Sequence, residues 1–472
     1  TRCFLELIRF GQFKGSELGK EDGFISHFST LNPEPFKLAG LKHLNLKKES
    51  DKIREAQDQR KGVKKDIHTK ADLDKLIDFS FTHLHNHSQY SILQSTTQIS
   101  GLIEKCGEHD MHAVALTDTG NMMAAFHFEA AANKYNQKVR LDRENAKKEG
   151  HPYTKKEILP IIGCEFNVCK DMNDKTQKDN GSRVVLLAKN KAGYQNLIKL
   201  ASAAYTSGMY YVPRIDKTIL LEYNTDLIAL SGGVNGEISN LILNVGEQQA
   251  EEAILWWSKN FKDDFYIELN RFGLDVEDRL NTSLVELARK HNVKLVATNN
   301  SFYIEKKDAP AHDVLLCVKE GQLVETPKGR GKGFRFGLEN EEYYFKSSKQ
   351  MVDLFRDIPD AILNTEEIVN KCDSYQLARD VLLPEFDIPE QFIDQSDKAD
   401  GGKRGENNYL RHLVYEGAKK RYESISTELQ ERIDFELETI QNTGYPGYFL
   451  IVQDFCEAAR SMGVSVGPGR GS

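Results

Sequence analysis

Three histidines stand at alternate positions in FTHLHNHSQYS, residues 81–91: His83, His85 and His87. On an extended strand, alternate side chains point to one face, so neighbouring imidazoles in this run would lie about 7 Å apart. This arrangement can offer two or more nitrogens to a metal ion. The alternative is a polar strand end whose histidines face water. The rest of the chain must decide between a present or former metal site and an ordinary strand end.

The composition predicts a soluble protein of two or three domains. The chain has 472 residues, of which 39% are hydrophobic and 28% are charged, enough for buried cores. It contains no apolar run of membrane-spanning length and no signal-peptide pattern. The seven cysteines are scattered and never spaced as CxxC, which fits a reducing cytoplasm better than a disulfide framework or a zinc ribbon. The net charge of −8 excludes a globally basic nucleic-acid binder, so contact with DNA would need a local basic surface.

Between Phe81 and about residue 355, short apolar segments alternate with helical ones. This alternation predicts parallel strands with crossover helices, in a barrel or a wound sheet. Asp118, Glu165 and Asn300 stand at the ends of predicted strands, where barrels carry their chemistry. The polar segment 139–156 predicts a surface insertion. The predicted strands are HAVALTD (112–118), ILPIIGCEFNV (158–168), RVVLLAK (183–189), TDLIALSGG (225–233), DFYIEL (264–269) and VKLVATNN (293–300).

The outer regions have a different composition. Residues 1–13 repeat apolar groups at helical spacing and predict one amphipathic helix, and residues 14–79 predict a polar linker. From residue 356 onward the chain becomes helix-rich, and it closes with the glycine loop VGPGRGS, residues 466–472. Because the sequence begins at Thr1 and stops in this loop, we expect a fragment of a longer protein.

Several motifs, taken in order, resemble the alpha subunits of bacterial DNA polymerase III, the C-family replicative polymerases. They are HLHNHSQYS, ALTDTGNM, PIIGCEF, GYQNLIKLAS, PRID, LVATNN and GYPGYFLIV…VGPGRGS. The resemblance implies an α/β chain: a PHP (polymerase and histidinol phosphatase) domain over 80–355, which is a distorted β/α barrel, and then the helix-rich N-terminal part of a polymerase-beta-like palm over 356–472. Residues 1–10 resemble the last helix of a DEDD-type proofreading exonuclease, so 1–13 would end a fused exonuclease domain. Any amphipathic helix has the same spacing.

The resemblance also gives the three histidines a context, because intact PHP domains hold metal ions that activate water for phosphoester hydrolysis. His85, His87 and Glu165 match metal ligands of the family, and Asp118 would lie next to the metals. Arg183 would bring a permanent positive charge that opposes a dication. We therefore expect a degenerate site whose metals are lost, in a domain kept as a scaffold. Six ligand positions have changed: Gln94 replaces an acidic residue, Thr119, Arg183 and Phe302 replace histidines, Gly233 replaces a cysteine and Asn300 replaces an aspartate.

The glycine loop supplies groups that suit phosphate. Its glycines expose backbone N–H groups, Arg470 can bind phosphate in bidentate fashion, and Ser472 adds a hydroxyl donor. A GPG turn with a solvent-facing arginine is the alternative. The resemblance implies that Gly469, Arg470, Gly471 and Ser472 help bind the triphosphate of the incoming nucleotide. The family's catalytic aspartates lie beyond Ser472, so we expect no catalytic residue here and no polymerisation by this segment alone.

The function implied for the full-length protein is template-directed DNA synthesis from deoxynucleoside triphosphates, with magnesium as cofactor. The implied partners are the DNA primer-template, the sliding clamp, other replisome subunits and a fused proofreading exonuclease, with no membrane. Two alternatives stay open. One is a metal-dependent PHP phosphoesterase or 3′–5′ exonuclease, which the six changed ligand positions oppose. The other is a non-enzymatic scaffold for partner subunits.

Overall fold

The computed structural model describes residues 76–329, 331–379, 384–467 and 469. The helix predicted over 1–13 and nearly all of the predicted linker 14–79 lie outside these ranges. The strands are β1 (Ala113–Leu116), β2 (Leu159–Cys169), β3 (Ser182–Ala188), β4 (Ile215–Asp216), β5 (Leu227–Leu230), β6 (Phe265–Leu269) and β7 (Lys294–Ala297). The α-helices are α1 (Ile99–Glu108), α2 (Ala125–Glu149), α3 (Lys191–Thr206), α4 (Lys217–Glu222), α5 (Glu237–Asn244), α6 (Glu247–Phe261), α7 (Asp275–Lys290), α8 (Ala309–Glu320), α9 (Ser348–Leu354), α10 (Pro359–Val369), α11 (Gln395–Asp400), α12 (Arg404–Arg421), α13 (Thr427–Thr443) and α14 (Pro446–Ser461).

The strands form one mixed sheet in the order β1-β2-β3-β5-β6-β7, with β4 paired to β2. Pairing is parallel between β1 and β2, β2 and β4, β5 and β6, and β6 and β7. Strand β3, however, runs antiparallel to both β2 and β5. All six predicted strands are present, but the expectation of parallel pairing throughout is wrong for β3. The described residues between β2 and β3 form no crossover helix, so the chain turns straight back, as antiparallel pairing allows.

Residues 83–87, the closing segment, complete the sheet. The backbone N–H of Ala115 in β1 donates to the carbonyl of His83 at 2.9 Å. The N–H of Ser301, just after β7, donates to the carbonyl of His85 at 3.1 Å. The closing segment therefore bridges the two ends of the strand order and shuts the sheet into a barrel. The predicted distorted β/α barrel is confirmed.

Alternation along the strands gives the barrel interior two chemically different ends. Ile161 in β2, Tyr266 in β6 and Val296 in β7 are buried in one interior cluster. Because alternate residues share a face, the same faces carry Glu165 and Glu268 further along β2 and β6. The N-terminal end of the interior is thus apolar, and polar side chains enter at the C-terminal end.

Local signals explain where the flanking helices begin and end. The Asn190 side chain accepts hydrogen bonds from the N–H groups of Ala192 and Gly193 and caps the start of α3. Helix α2 ends at Glu149 and is followed by Gly150, whose φ of 74° suits glycine and would strain most other residues. The segment 139–156, predicted as a surface insertion, is largely exposed, but its first half is the end of α2 rather than a loop.

After the barrel, α12, α13 and α14 pack around a small apolar cluster formed by Leu410, Leu437 and Leu450. Helix α10 lies beyond residue 355, yet its Ile368 and Val369 pack into the barrel interior. The limits proposed for the two domains remain predictions. Within the described ranges, every helix is too short or too polar to cross a membrane.

Candidate metal centre

Three residues predicted from the sequence as metal ligands converge inside the barrel. His85 and His87 come from the closing segment and Glu165 from the C-terminal half of β2. Their nearest ligand atoms all lie within 4.8 Å of one another, and all three residues are buried. Two imidazole nitrogens and one carboxylate oxygen are a donor set that catalytic zinc sites use.

His85 lies between two carboxylates. Its Nδ1–H donates to Glu268 Oε1 at 2.7 Å, and its Nε2 lies 3.5 Å from Glu165 Oε1. Burial lowers the pKa of His85, but the charges of Glu268 and Glu165 outweigh burial and raise this pKa to about 9. The two carboxylates therefore favour the protonated imidazole. Burial also opposes the charge on Glu268, yet the His85 charge and hydrogen bonds keep the pKa of Glu268 below its usual value.

His87 is a neutral ring in a different setting. Its Nδ1 lies 3.2 Å from Ser91 Oγ and 3.3 Å from Thr119 Oγ1, and its ring stacks on Phe302 with centroids 4.5 Å apart. Burial lowers the pKa of His87 to about 3. Its Nε2 is buried without a hydrogen-bond partner among the described residues. A buried polar atom in that state costs free energy, and it is open to an ion that reaches the site.

Arg183 of β3 forms an ion pair with the ligand carboxylate. Its Nη1 lies 2.7 Å from Glu165 Oε2, and Thr119 Oγ1–H donates to the same oxygen at 2.9 Å. Burial raises the pKa of Glu165, but the Arg183 charge and the neighbouring histidines lower this pKa far below its usual range. The positive charge that the sequence placed near the pocket is thus in direct contact with a ligand.

Two other residues singled out in the sequence lie outside the cluster. The Asp118 carboxylate accepts hydrogen bonds from the N–H and Oγ of Ser88 and from Ser91 Oγ, each at 2.7 Å, so it lies beside the ligands and orients their segment. Burial raises the pKa of Asp118 above its usual value. His83 instead faces the Lys346 carbonyl, 2.7 Å from its Nε2. The expectation of three imidazoles on one face is wrong, because the closing segment pairs only through isolated bonds and is not a regular strand.

The remaining changed positions offer no replacement ligand. Asn300 has a φ of 43°, and its Oδ1 is buried without a hydrogen-bond partner among the described residues. At Gly233 a Cβ would lie 1.9 Å from Asn270 Oδ1, so a side chain such as cysteine would need Asn270 to move. The Gln94 carbonyl accepts a hydrogen bond from His312 Nε2 at 2.7 Å.

Sequence reasoning missed Glu268. It is completely buried, and its Oε1 also accepts hydrogen bonds from Thr298 Oγ1 and, at 3.5 Å, from Asn270 Nδ2. The available signal was a glutamate inside the apolar strand DFYIEL. Carboxylates are almost never fully buried unless paired, so a glutamate in a buried strand predicts a cationic partner.

The charges of the site balance without a divalent ion. Glu165 and Glu268 supply two negative charges, and Arg183 and protonated His85 supply two positive ones. An ion replacing the His85 proton would leave one excess positive charge beside Arg183. Among the described residues, no other group of three potential ligands lies close enough to hold a second ion. The donor atoms fit one ion, but the charges do not, and the residues do not fit the multi-ion cluster that intact PHP domains hold.

Of the predicted nucleotide-binding residues, only Gly469 belongs to the described part of the chain. Arg470, Gly471 and Ser472 lie outside it, so the role of this loop stays a prediction.

Comparison with known proteins gives two family matches. The PHP domain family matches residues 83–272, and the family described as bacterial DNA polymerase III alpha NTPase domain matches residues 408–472. DNA polymerase III subunit alpha of Borreliella burgdorferi is 38% identical over 397 residues, which are 83% of this chain and 31% of that protein. The same subunit of Treponema pallidum is 37% identical over 398 residues, 83% of this chain and 31% of that protein. The Campylobacter jejuni subunit is 33% identical over 426 residues, 83% of this chain and 32% of that protein.

The chain thus spans about a third of the length of the curated relatives it matches. The relationship extends over the barrel and the helices after it, and the resemblance seen in the motifs is confirmed. This chain belongs to the family of bacterial DNA polymerase III alpha subunits.

Proposed function

We propose that the protein containing this segment extends a DNA primer on a template, with deoxynucleoside triphosphates as substrates and magnesium as cofactor. The observation that carries the proposal is the 38% identity to a DNA polymerase III alpha subunit over 83% of this chain. The proposal includes a sliding clamp, other replisome subunits and a fused proofreading exonuclease as partners. It also assigns triphosphate binding to Gly469, Arg470, Gly471 and Ser472.

Primer extension by the longer protein tests this proposal. Arg470→Ala should raise the KM for deoxynucleoside triphosphates, because a guanidinium that binds phosphate in bidentate fashion is lost. Arg460→Ala is the matched control, since Arg460 is an exposed arginine at the end of α14. An unchanged KM in Arg470→Ala would remove the loop from the nucleotide site. No magnesium-dependent extension by the unaltered protein would overturn the polymerase proposal itself.

The second part of the proposal is that the barrel acts as a scaffold and not as a hydrolase. The ion pair between Arg183 and Glu165 supports it, since the guanidinium supplies the positive charge that a ligand carboxylate would otherwise take from a metal. The buried bond between His85 and Glu268 joins the closing segment to β6 without an ion. These contacts hold the barrel together and engage His85 and Glu165, which would otherwise be free to bind a water-activating metal ion.

A metal-dependent phosphoesterase or 3′–5′ exonuclease is the second candidate. One observation favours it: Nε2 of His85 and Nε2 of His87 are both buried without hydrogen-bond partners among the described residues. Their other ring nitrogens contact a carboxylate and hydroxyl groups, as happens in many metal sites.

Metal content separates the two candidates. The purified chain is exposed to zinc, manganese and magnesium, desalted and analysed for bound metal, with the His85→Ala, His87→Ala double variant as control. A scaffold should retain less than about a tenth of an equivalent, unchanged in the control. A full equivalent that disappears in the control would favour the phosphoesterase and make phosphoester hydrolysis the next assay.

A further inference from the structure

A basic and aromatic loop follows α8 in the chain. Residues 326–337, TPKGRGKGFRFG, contain four basic residues and no acidic one, although the whole chain has a net charge of −8. We call this segment the 326–337 loop; its Arg330 lies outside the described residues. Lys328 and Arg335 form an isolated parallel bridge, in which the Gly329 N–H donates to the Arg335 carbonyl and the Arg335 N–H to the Pro327 carbonyl, both at 3.0 Å.

Arg335 anchors the 326–337 loop to α8. Its guanidinium makes a bidentate ion pair with Asp313 of α8, at 2.9 and 2.8 Å. It also donates to the carbonyls of Thr326 at 2.9 Å and Val324 at 3.1 Å. Only 4% of Arg335 is exposed. These four hydrogen bonds fix the position of the loop, so what it presents to solvent is set by the fold.

The segment around Arg335 presents two phenyl rings to solvent. Phe334 and Phe336 flank Arg335 and are 50% and 53% exposed, because alternate residues of an extended segment face opposite ways to the one between them. The Phe334 ring lies over Gly329, where a Cβ would come within 2.6 Å of it. A larger residue at Gly329 would displace this ring, so the glycine is part of the arrangement.

The 326–337 loop also carries two lysines that reach solvent. Lys332 is exposed, and Lys328, 43% exposed, lies 3.1 Å from Asp313 Oδ1. Exposed acidic residues flank the loop in sequence: Glu325 before it and Glu339 and Glu341 after it. The exposed charges among the described residues of the loop are therefore positive, and those on either side of it are negative.

We propose that the 326–337 loop binds single-stranded nucleic acid. Exposed rings stack on unpaired bases, and neighbouring lysines contact the phosphates, which is how proteins hold single strands without sequence preference. A duplex buries its base faces in its own stack, so the rings would gain nothing from it. The site uses none of the metal-ligand residues of the barrel and none of the residues of the glycine loop, and it goes beyond the proposed polymerase activity.

Fluorescence anisotropy of a dye-labelled 15-nucleotide oligothymidylate with the 472-residue chain tests the proposal, at low and moderate salt. Phe334→Ala, Phe336→Ala should weaken binding by about fivefold or more per ring, from the usual strength of base–aromatic stacking. Lys332→Ala should weaken binding and reduce its salt dependence. The matched controls are Phe126→Ala, a 53% exposed phenylalanine on α2, and Lys148→Ala, an exposed lysine on the same helix; both should bind as the unaltered chain does.

Three results would overturn the proposal. One is equal affinity in the double phenylalanine variant and the unaltered chain. Another is an equal loss in Phe126→Ala. The third is binding of a polyglutamate peptide with the same dependence on Phe334 and Phe336, which would identify the 326–337 loop as a site for an acidic protein. The assay needs neither primer nor triphosphate, so its failure leaves the polymerase proposal intact, and failed primer extension leaves this one intact.

Discussion

Removing the charge of Arg183 should convert the barrel site into a metal site. Arg183→Gln keeps a hydrogen-bond donor near Glu165 Oε2 but removes the positive charge. With Glu165 and Glu268 each negative, a divalent ion that replaces the His85 proton would then bring the site to neutrality. In the unaltered chain the same ion leaves an excess positive charge next to the guanidinium.

Two terms set the size of the effect. A divalent ion bound at Glu165 would lie about 5 Å from the guanidinium, which gives a repulsion of about 7 kcal/mol at an effective dielectric constant of about 20. The Arg183 side chain is 27% exposed, so solvent and salt reduce this value. Displacing the His85 proton, whose pKa is about 9, costs about 3 kcal/mol at pH 7 in the unaltered chain. Loss of the guanidinium raises this cost in Arg183→Gln, because Glu165 then acts on His85 without a competing cation, and this offsets part of the gain. We expect Arg183→Gln to bind zinc at least about 100-fold more tightly.

Zinc competition against a chromophoric chelator measures this difference. Arg140→Gln is the matched control, because it removes the same charge from an arginine paired with Glu157 on the surface. A triple variant that adds His85→Ala and His87→Ala to Arg183→Gln should lose the gained affinity. Equal zinc affinity in Arg183→Gln and the unaltered chain would refute the reasoning, as would a gain that survives in the triple variant.

Three further predictions address other contacts. Glu268→Gln should lower the pKa of His85 from about 9, measured by NMR titration of the imidazole; a value still near 9 would show that Glu268 is not the main cause. Burial lowers the pKa of His83 to about 3, so the unfolded state binds a proton that the folded state refuses: stability due to this residue is full above about pH 6.5 and falls by about 1.4 kcal/mol per pH unit as pH drops towards 3. His83→Gln should therefore flatten the acid limb of a plot of unfolding free energy against pH, and an unchanged slope would contradict this. Arg335→Ala should lower the free energy of unfolding in urea by about 3 kcal/mol, because it leaves Asp313 without its bidentate partner. The same substitution should speed tryptic cleavage at the 326–337 loop, and cleavage no faster than in the unaltered chain would contradict the anchoring role.

The strands and the ligand set could be predicted from the sequence because both depend on local patterns. Apolar runs such as RVVLLAK and DFYIEL mark buried strands wherever they lie in the sheet. His85, His87 and Glu165 could be matched to family positions one at a time. Their convergence within 4.8 Å then follows from the barrel.

The missed features depend on contacts between distant parts of the chain. The partner of His85 is Glu268, 183 positions away, and nothing near either residue shows that the closing segment lies beside β6. The same applies to His83, whose direction is set by Lys346 and not by strand alternation. The antiparallel pairing of β3 depended on a connection without a helix, which a count of alternating segments does not register.

The position of the closing segment has a consequence for the order in which the barrel can form. Residues 83–87 leave the ribosome well before Ser301, which completes their pairing and follows more than 200 residues later. Until then the segment can pair only with β1, and one edge of the growing sheet stays open. Contacts this far apart in sequence slow folding, and an unpaired strand edge can attach to another chain. The closing segment, which carries His85 and His87, therefore also determines when the sheet loses its open edge during synthesis.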